Sequence, residues 1–166
     1  LLETAVFHTY NTHGAFAAEV TMAENQVFFE DVREGDAIPS LTKHPTRRQL
    51  VMWAGASGDF YEIHYDTAFA RKNKLPDVVV HGRLKAAFLG EMLWDWMGPN
   101  GVLKRYNCRY KGTDPTDQDM IVKGSVTGKR VEDGENLVDL DIWTEQPDGT
   151  MTTQGAATVA LPSRAA

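Results

Sequence analysis

The chain has 166 residues, of which 42% are hydrophobic, and it carries a formal net charge of -6 at pH 7. This length suits one domain with a sizeable core, so neither a metal nor a disulfide is needed to hold the fold. The negative charge argues against nucleic acid or an anionic membrane surface as the main partner, because both repel an acidic protein at long range. An anionic ligand would therefore have to meet a local basic patch.

Cysteine usage and hydropathy indicate the compartment. Cys108 is the only cysteine, so it cannot pair within the chain, and cysteines and histidines do not fall at the spacings of a zinc site. A reducing compartment, the cytoplasm, is the expectation. No apolar run approaches about 20 residues and no secretory signal pattern is visible, so the sequence predicts a cytoplasmic protein that does not enter a membrane.

Periodicity divides the chain into an extension, one domain and a tail. Residues 1–24 follow neither a helical nor a strand period and are assigned no chemistry. A single domain is expected over 25–162, and 163–166 form a tail. Within the domain, residues 27–38 begin apolar and become turn-prone, which predicts a strand that ends at Pro39.

Two helix starts follow in the sequence. Thr46 and Gln49 match a capping box, in which the threonine side chain accepts the backbone N–H three residues on, and this predicts a helix over 47–56. Asp66 stands directly before an Ala- and Phe-containing segment and predicts the cap of a short helix over 67–72.

A longer helix is predicted over 84–97, where apolar residues occupy nearly every side before Gly98 ends the element. A helix with so much apolar surface must be wrapped, and its tryptophans, Trp94 and Trp96, are expected in the core. Three or four alternating strands follow, joined by turns of the Asp-Gly type. A buried helix inside a curved antiparallel sheet predicts an α+β protein with a single hotdog fold.

The chemistry-bearing residues cluster around the end of the first helix and the start of the long one. Asp59 and His64 lie five residues apart just past Gly58, and His81-Gly82 precedes the apolar helix. A carboxylate and an imidazole can move protons, and free N–H groups at a helix start can hold an enolate oxygen. Addition of water to a thioester-activated double bond requires both. Taken alone, Asp59 could be a turn residue and His64 a structural histidine, but the whole pattern favours catalysis.

These residues carry a family resemblance. Gly58-Asp59, then His64, then His81-Gly82 ahead of the apolar helix resemble the signature of MaoC-like dehydratases, the R-specific enoyl-CoA hydratases. The resemblance implies reversible hydration of a trans-2-enoyl-CoA to an (R)-3-hydroxyacyl-CoA, with no metal or organic cofactor and with the coenzyme A thioester as substrate. It implies that Asp59 and His64 are the catalytic pair and that Gly82 donates to the oxyanion, with His81 beside it.

One departure from the family concerns the substrate. The family usually has Asn-Pro where this chain has Tyr61-Glu62, so these two residues are candidates to line the pocket. Arg105 and Arg109 fall on one face of a predicted strand and are candidate contacts for the phosphates of coenzyme A. A solvated outer face is an equally good interpretation of the two arginines. Other basic residues compete for the phosphate role, among them Arg71, Lys72, Lys74, Arg83 and Lys85.

The sequence leaves three alternatives. The chain could be a noncatalytic hotdog subunit that completes a neighbour's pocket, or a thioesterase on the same fold. A metal site built from Asp59, His64, Asp66 and His81 is disfavoured, because the close ligand spacings of known sites are missing. A single hotdog leaves an exposed sheet edge and half a pocket, so a homodimer or a higher homo-oligomer is expected.

Overall fold

The computed structural model describes residues 26–164. In this part of the chain an antiparallel sheet has the order β1-β3-β4-β5-β2. The strands are β1 (Ala37–Lys43), β2 (Val102–Tyr110), β3 (Met120–Glu132), β4 (Glu135–Glu145) and β5 (Met151–Ala160). The helices are α1 (Arg47–Ser57), α2 (Thr67–Lys72) and α3 (Gly82–Met97), with short 3-10 helices at Phe29–Asp31 and Glu62–His64.

Helix α3 is the centre of the fold. It contacts β1, β2, β3 and β4, and its buried residues join those of the strands in one hydrophobic core. Leu89, Leu93 and Met97 are fully enclosed. The predicted α+β hotdog architecture, a central apolar helix packed on a curved antiparallel sheet, is confirmed. The helix begins at Gly82, two residues before the predicted start.

The strands after α3 follow the predicted alternation. In β4, Val138, Leu140 and Ile142 are buried, whereas the residues between them face outward. Asp133 and Gly134 join β3 to β4 with positive φ angles of 50° and 79°, which is the backbone that a two-residue hairpin of the Asp-Gly type requires. Long paired strands therefore form a continuous apolar face against α3.

The start of the domain differs from the prediction. Residues 27–38 do not form one strand: a 3-10 helix occupies Phe29–Asp31, and β1 runs through Pro39 to Lys43. Proline is tolerated because β1 lies at the edge of the sheet, and the pairing register shifts between Ile38 and Leu41. An edge strand with a bulge at that point does not need the missing N–H.

The predicted helix caps are confirmed. Thr46 Oγ1 accepts a hydrogen bond from the Gln49 N–H at 3.2 Å, and Asp66 Oδ1 accepts one from the Phe69 N–H at 3.0 Å. These caps determine the first residues of α1 and α2. They therefore also restrict the position of the segment 58–66, which connects the two helices. The predicted extension, 1–24, lies outside the described residues. No helix within 26–164 has the length and hydropathy to cross a membrane.

One core prediction is wrong. The Trp94 side chain is 56% exposed, although Trp96 is half-buried and packs against the core. Trp94 belongs to a stripe of exposed residues on α3 that also contains Arg83, Ala87 and Glu91. Their spacing of three to four residues places them on one side of the helix. The sheet therefore covers only part of the circumference of α3.

Candidate active site

The turn after α1 places Asp59. Helix α1 ends at Gly58, whose φ of 75° lies in the left-handed region, where glycine carries no steric penalty. The Gly58 N–H closes the helix on the Ala54 carbonyl at 2.9 Å, and the Asp59 N–H donates to Ser57 Oγ at 3.3 Å. The side chain of Asp59 is thereby half-buried at the end of the helix.

His64 is held by the backbone. It ends the short 3-10 helix Glu62–His64 and is only 7% exposed. Its Nδ1 lies 2.7 Å from the Val79 carbonyl oxygen. A carbonyl can only accept, so Nδ1 carries the proton and, in the neutral ring, Nε2 presents a lone pair. The imidazole is therefore oriented as an acceptor at Nε2.

His81 contacts both Asp59 and His64. Its ring stacks on that of His64 with centroids 3.7 Å apart and an interplanar angle of 19°, and it is completely buried. Its Nε2 donates to the backbone carbonyl of Asp59 at 3.2 Å. Burial lowers the pKa of His81, and the charge of His64 lowers it further, against an opposing effect of Asp59. His81 is therefore kept neutral and ties the backbone of Asp59 to the ring of His64.

The three side chains converge. A carboxylate oxygen of Asp59 and one ring nitrogen from each histidine lie within 4.8 Å of one another. Such a set could in principle hold a metal ion, but the lone pairs of an imidazole lie in its ring plane. Two rings stacked nearly parallel cannot both direct a lone pair at one ion between them. The geometry suits proton transfer at His64 Nε2 and the Asp59 carboxylate better.

The start of α3 lies next to this cluster, because His81 is its N-cap residue and Gly82 its first residue. Within residues 26–164 no side chain caps this end, so its first N–H groups remain available to a ligand. A Cβ built on Gly82 would lie 2.9 Å from two ring carbons of Tyr110. Glycine is therefore needed here for the close approach of an aromatic side chain.

Tyr61 and Glu62 lie at the rim of the cluster. Both are exposed, and the Tyr61 ring meets the edges of His64 and Phe69, with centroid distances of 6.4 and 5.8 Å. Tyr61 is thus within reach of a ligand bound beside His64. The side chain of Glu62 is solvent-accessible, and its role in the pocket stays a prediction.

The basic residues divide into exposed and buried groups. Arg105 and Arg109 are exposed on β2, whereas Tyr106 and Cys108 turn inward and pack against the core. Arg105 and Arg109 share one exposed face of the strand, as predicted, and their role in phosphate binding stays a prediction. Lys85, one of the competing residues, is 1% exposed and so is not available to a phosphate.

Two features of the site were missed in the sequence. Lys85 forms a buried ion pair with Asp114, with Nζ 2.7 Å from Oδ2, and the Val79 carbonyl orients His64. Asp114 lies 29 residues after Lys85, in a turn-rich segment, so no local spacing connects them. Every residue has a backbone carbonyl, so residue type cannot show which carbonyl orients His64.

Comparisons with known proteins identify the family and the fold. The model of the MaoC like domain matches residues 33–145, more than half of the chain. A curated relative, the "(R)-specific enoyl-CoA hydratase" of Rhodospirillum rubrum, is 26% identical over 138 residues, which cover 82% of this chain and 93% of the relative.

Two solved structures share the fold. The (R)-hydratase from A. caviae involved in PHA biosynthesis superposes with a TM-score of 0.73 at 22% identity, covering 80% of this chain and 99% of the other. The ChsH1-ChsH2 complex from Mycobacterium tuberculosis gives 0.68 at 21% identity, covering 78% and 98%. Because the domain model matches more than half of the chain, the chain belongs to the MaoC-like domain family.

Proposed function

We propose that this protein catalyses the reversible hydration of a trans-2-enoyl-CoA to an (R)-3-hydroxyacyl-CoA. The observation that carries the proposal is the convergence of the Asp59 carboxylate and the His64 imidazole within 4.8 Å, next to the N-terminus of α3. Membership of the MaoC-like domain family and the name of the Rhodospirillum relative support the same reaction. The R configuration rests on that relationship.

The proton transfers follow from the orientation of the two groups. One water molecule donates hydrogen bonds to the Asp59 carboxylate and to the free Nε2 of His64, whose Nδ1 is committed to Val79. One of the two groups accepts a proton as the water oxygen bonds to C3 and the C2–C3 π electrons move toward the carbonyl. The group that accepted this proton then donates it to C2 of the enolate from the same side, so the addition is syn. Hydroxyl at C3 and hydrogen at C2 account for all atoms of the water.

The charge that develops on the thioester oxygen needs a donor. The Gly82 N–H at the start of α3 supplies one, helped by the positive end of the helix dipole. His81 is fully buried, so we assign it to holding Asp59 and His64 rather than to contact with substrate. The reaction requires no metal or organic cofactor, because the thioester itself activates the double bond.

A complete pocket requires a second subunit in this proposal. Large apolar side chains beside the catalytic segment are exposed in the single chain, namely Met52, Phe60, Tyr61 and Tyr65. β2 is an edge strand and exposes Val102 and Tyr110. An exposed edge and an apolar patch are both features that a partner covers. We expect a homodimer, with a mass of twice that of the chain in light scattering at micromolar concentration.

The experiment compares catalytic variants with matched controls. Asp59→Asn and His64→Gln should each lose at least about 10²-fold in kcat, the usual effect of removing an acid or a base. Asp66→Asn and His44→Gln are the controls, since Asp66 caps α2 and His44 is an exposed histidine that contacts Asp119. Controls that lose as much activity as the catalytic variants would reject the assignment.

The same assay separates the alternatives. A thioesterase would release free thiol from an acyl-CoA, whereas a hydratase consumes the conjugated enoyl chromophore without thiol release. A noncatalytic partner subunit would show neither. The presence of both Asp59 and His64, with their side chains directed to one point, favours a catalytic chain.

A further inference from the structure

The most deeply buried charges in the described part of the chain form an ion pair at the first turn of α3. Lys85 Nζ is 2.7 Å from Asp114 Oδ2, and the two side chains are 2% and 4% exposed. Removing two charges from water costs several kcal/mol per ion before their attraction is counted. A buried ion pair is therefore a weak source of stability, and its position in the fold calls for another explanation.

Each group of the pair is fully occupied by protein partners. Lys85 Nζ also donates to the Gly112 carbonyl at 2.9 Å and lies 3.4 Å from the Thr152 carbonyl. Thr152 Oγ1 donates to Asp114 Oδ1 at 2.9 Å and lies 3.0 Å from Thr144 Oγ1. The network thus joins the first turns of α3 to β4 and β5. With three acceptors around Lys85 Nζ and a donor at each carboxylate oxygen of Asp114, the network is rigid rather than reactive.

The same network reaches the catalytic histidine through the backbone. The Asp114 carbonyl accepts the Val80 N–H at 2.8 Å, and Val79 forms a β-bridge with Pro115. The Val79 carbonyl is the acceptor for His64 Nδ1. The position of the loop that carries Asp114 therefore determines where the acceptor of His64 lies.

We propose that Lys85 and Asp114 are positioning residues for the reaction. Their ion pair holds the segment 78–81 against the start of α3. The Val79 carbonyl therefore stays in place as the acceptor for His64 Nδ1, which fixes the tautomer of His64 and the position of its ring relative to the Gly82 N–H. Neither residue touches substrate. The inference rests on the proposed function for its catalytic consequence, but the tautomer of His64 can be measured without any substrate.

The test uses the double variant Lys85→Met/Asp114→Asn, which removes both charges together and leaves neither ion unpaired. In ¹⁵N-histidine NMR spectra of the free protein, the Nδ1-bound proton of His64 should exchange with water at least about 10-fold faster than in the parent. With substrate, kcat should fall about 10- to 10²-fold, the range expected of a small displacement of a catalytic group. KM should change less than about 3-fold.

Two controls separate positioning from general destabilisation. Val126→Ala opens space in the core beside Trp96, at the far end of α3, and Lys104→Met removes an exposed ion pair with Glu135. Both should leave the His64 signal and kcat unchanged. If the double variant does not fold, Thr152→Val provides a milder version of the same test, because it removes the Thr152 hydrogen bond to Asp114 and leaves the two ions paired.

The result that overturns the proposal is a folded double variant with the parent's exchange rate at His64 and the parent's kcat. An altered His64 signal in a protein whose parent form hydrates no enoyl-CoA would keep the positioning role and reject the proposed function.

Discussion

Adding a single methyl group at Gly82 tests the oxyanion site with the least disturbance. In Gly82→Ala the new Cβ would lie 2.9 Å from two ring carbons of Tyr110, whereas ordinary contacts begin at 3.4 Å. The ring or the start of α3 must therefore shift, and 0.5 Å, the difference between those two distances, restores an ordinary contact. Gly82 does not have a positive φ, so backbone strain does not contribute. The effect of the substitution arises from space alone.

The magnitude depends on which group moves. If the first turn of α3 moves, its N–H is displaced from the thioester oxygen, and complete loss of such a donor costs about 3 kcal/mol, roughly 10²-fold in kcat. A partial displacement in Gly82→Ala should cost about 10-fold, and Gly82→Val, with more bulk, about 10²-fold.

The assay is steady-state hydration of one trans-2-enoyl-CoA, with stability measured in parallel. Gly90→Ala is the matched control, because it lies on the same helix with no atom within 4 Å of the added Cβ, and it should gain about 0.5–1 kcal/mol of stability with unchanged kcat. Tyr110→Ala combined with Gly82→Ala should recover part of the loss. A Gly82→Ala variant whose crystal structure shows the first turn of α3 displaced, and whose kcat still equals that of Gly90→Ala, would refute the role assigned to this amide.

The other predictions concern the catalytic pair, the rim and the buried histidine. The double variant Asp59→Asn/His64→Gln should lose little more kcat than the worse single variant, because both groups act on one water; multiplicative losses would show independent roles. Glu62→Gln should change the ranking of short, long and polycyclic enoyl-CoAs, and an unchanged ranking would place Glu62 outside the pocket. Because burial lowers the pKa of His81, the unfolded state binds more protons below about pH 6.5, and the unfolding free energy should fall as pH drops from there toward the folded-state pKa. Urea unfolding of the parent and His81→Gln at pH 5 to 8 measures this, and equal slopes would contradict it.

Local signals in the sequence were sufficient for most of the fold. Thr46 and Asp66 carry their own caps, and the turn at Asp133 and Gly134 requires a backbone that few residues adopt. These features involve neighbours in sequence, so residue type specifies them. Pro39 misled the prediction because its tolerance depends on lying in an edge strand, and the strand order is a property of the whole sheet.

In the candidate site too, local features could be predicted from the sequence, whereas long-range contacts could not. Asp59 and His64 could be predicted as candidates because a carboxylate and an imidazole can transfer protons and because the two residues lie close in sequence. The contact between Gly82 and Tyr110, the pairing of Lys85 with Asp114 and the Val79 carbonyl all join segments far apart in sequence. Trp94 was misplaced because apolar composition alone does not say which side of α3 the sheet covers. Long-range packing and backbone acceptors leave no local pattern to detect.

The most direct test of the proposed hydration is to offer the protein a panel of trans-2-enoyl-CoA thioesters and follow enoyl absorbance, free thiol and product chirality together. We expect loss of the enoyl chromophore, formation of the (R)-3-hydroxyacyl-CoA and no thiol release, with kcat at least about 10²-fold lower in Asp59→Asn. Thiol release without hydration, or an (S) product, would contradict it.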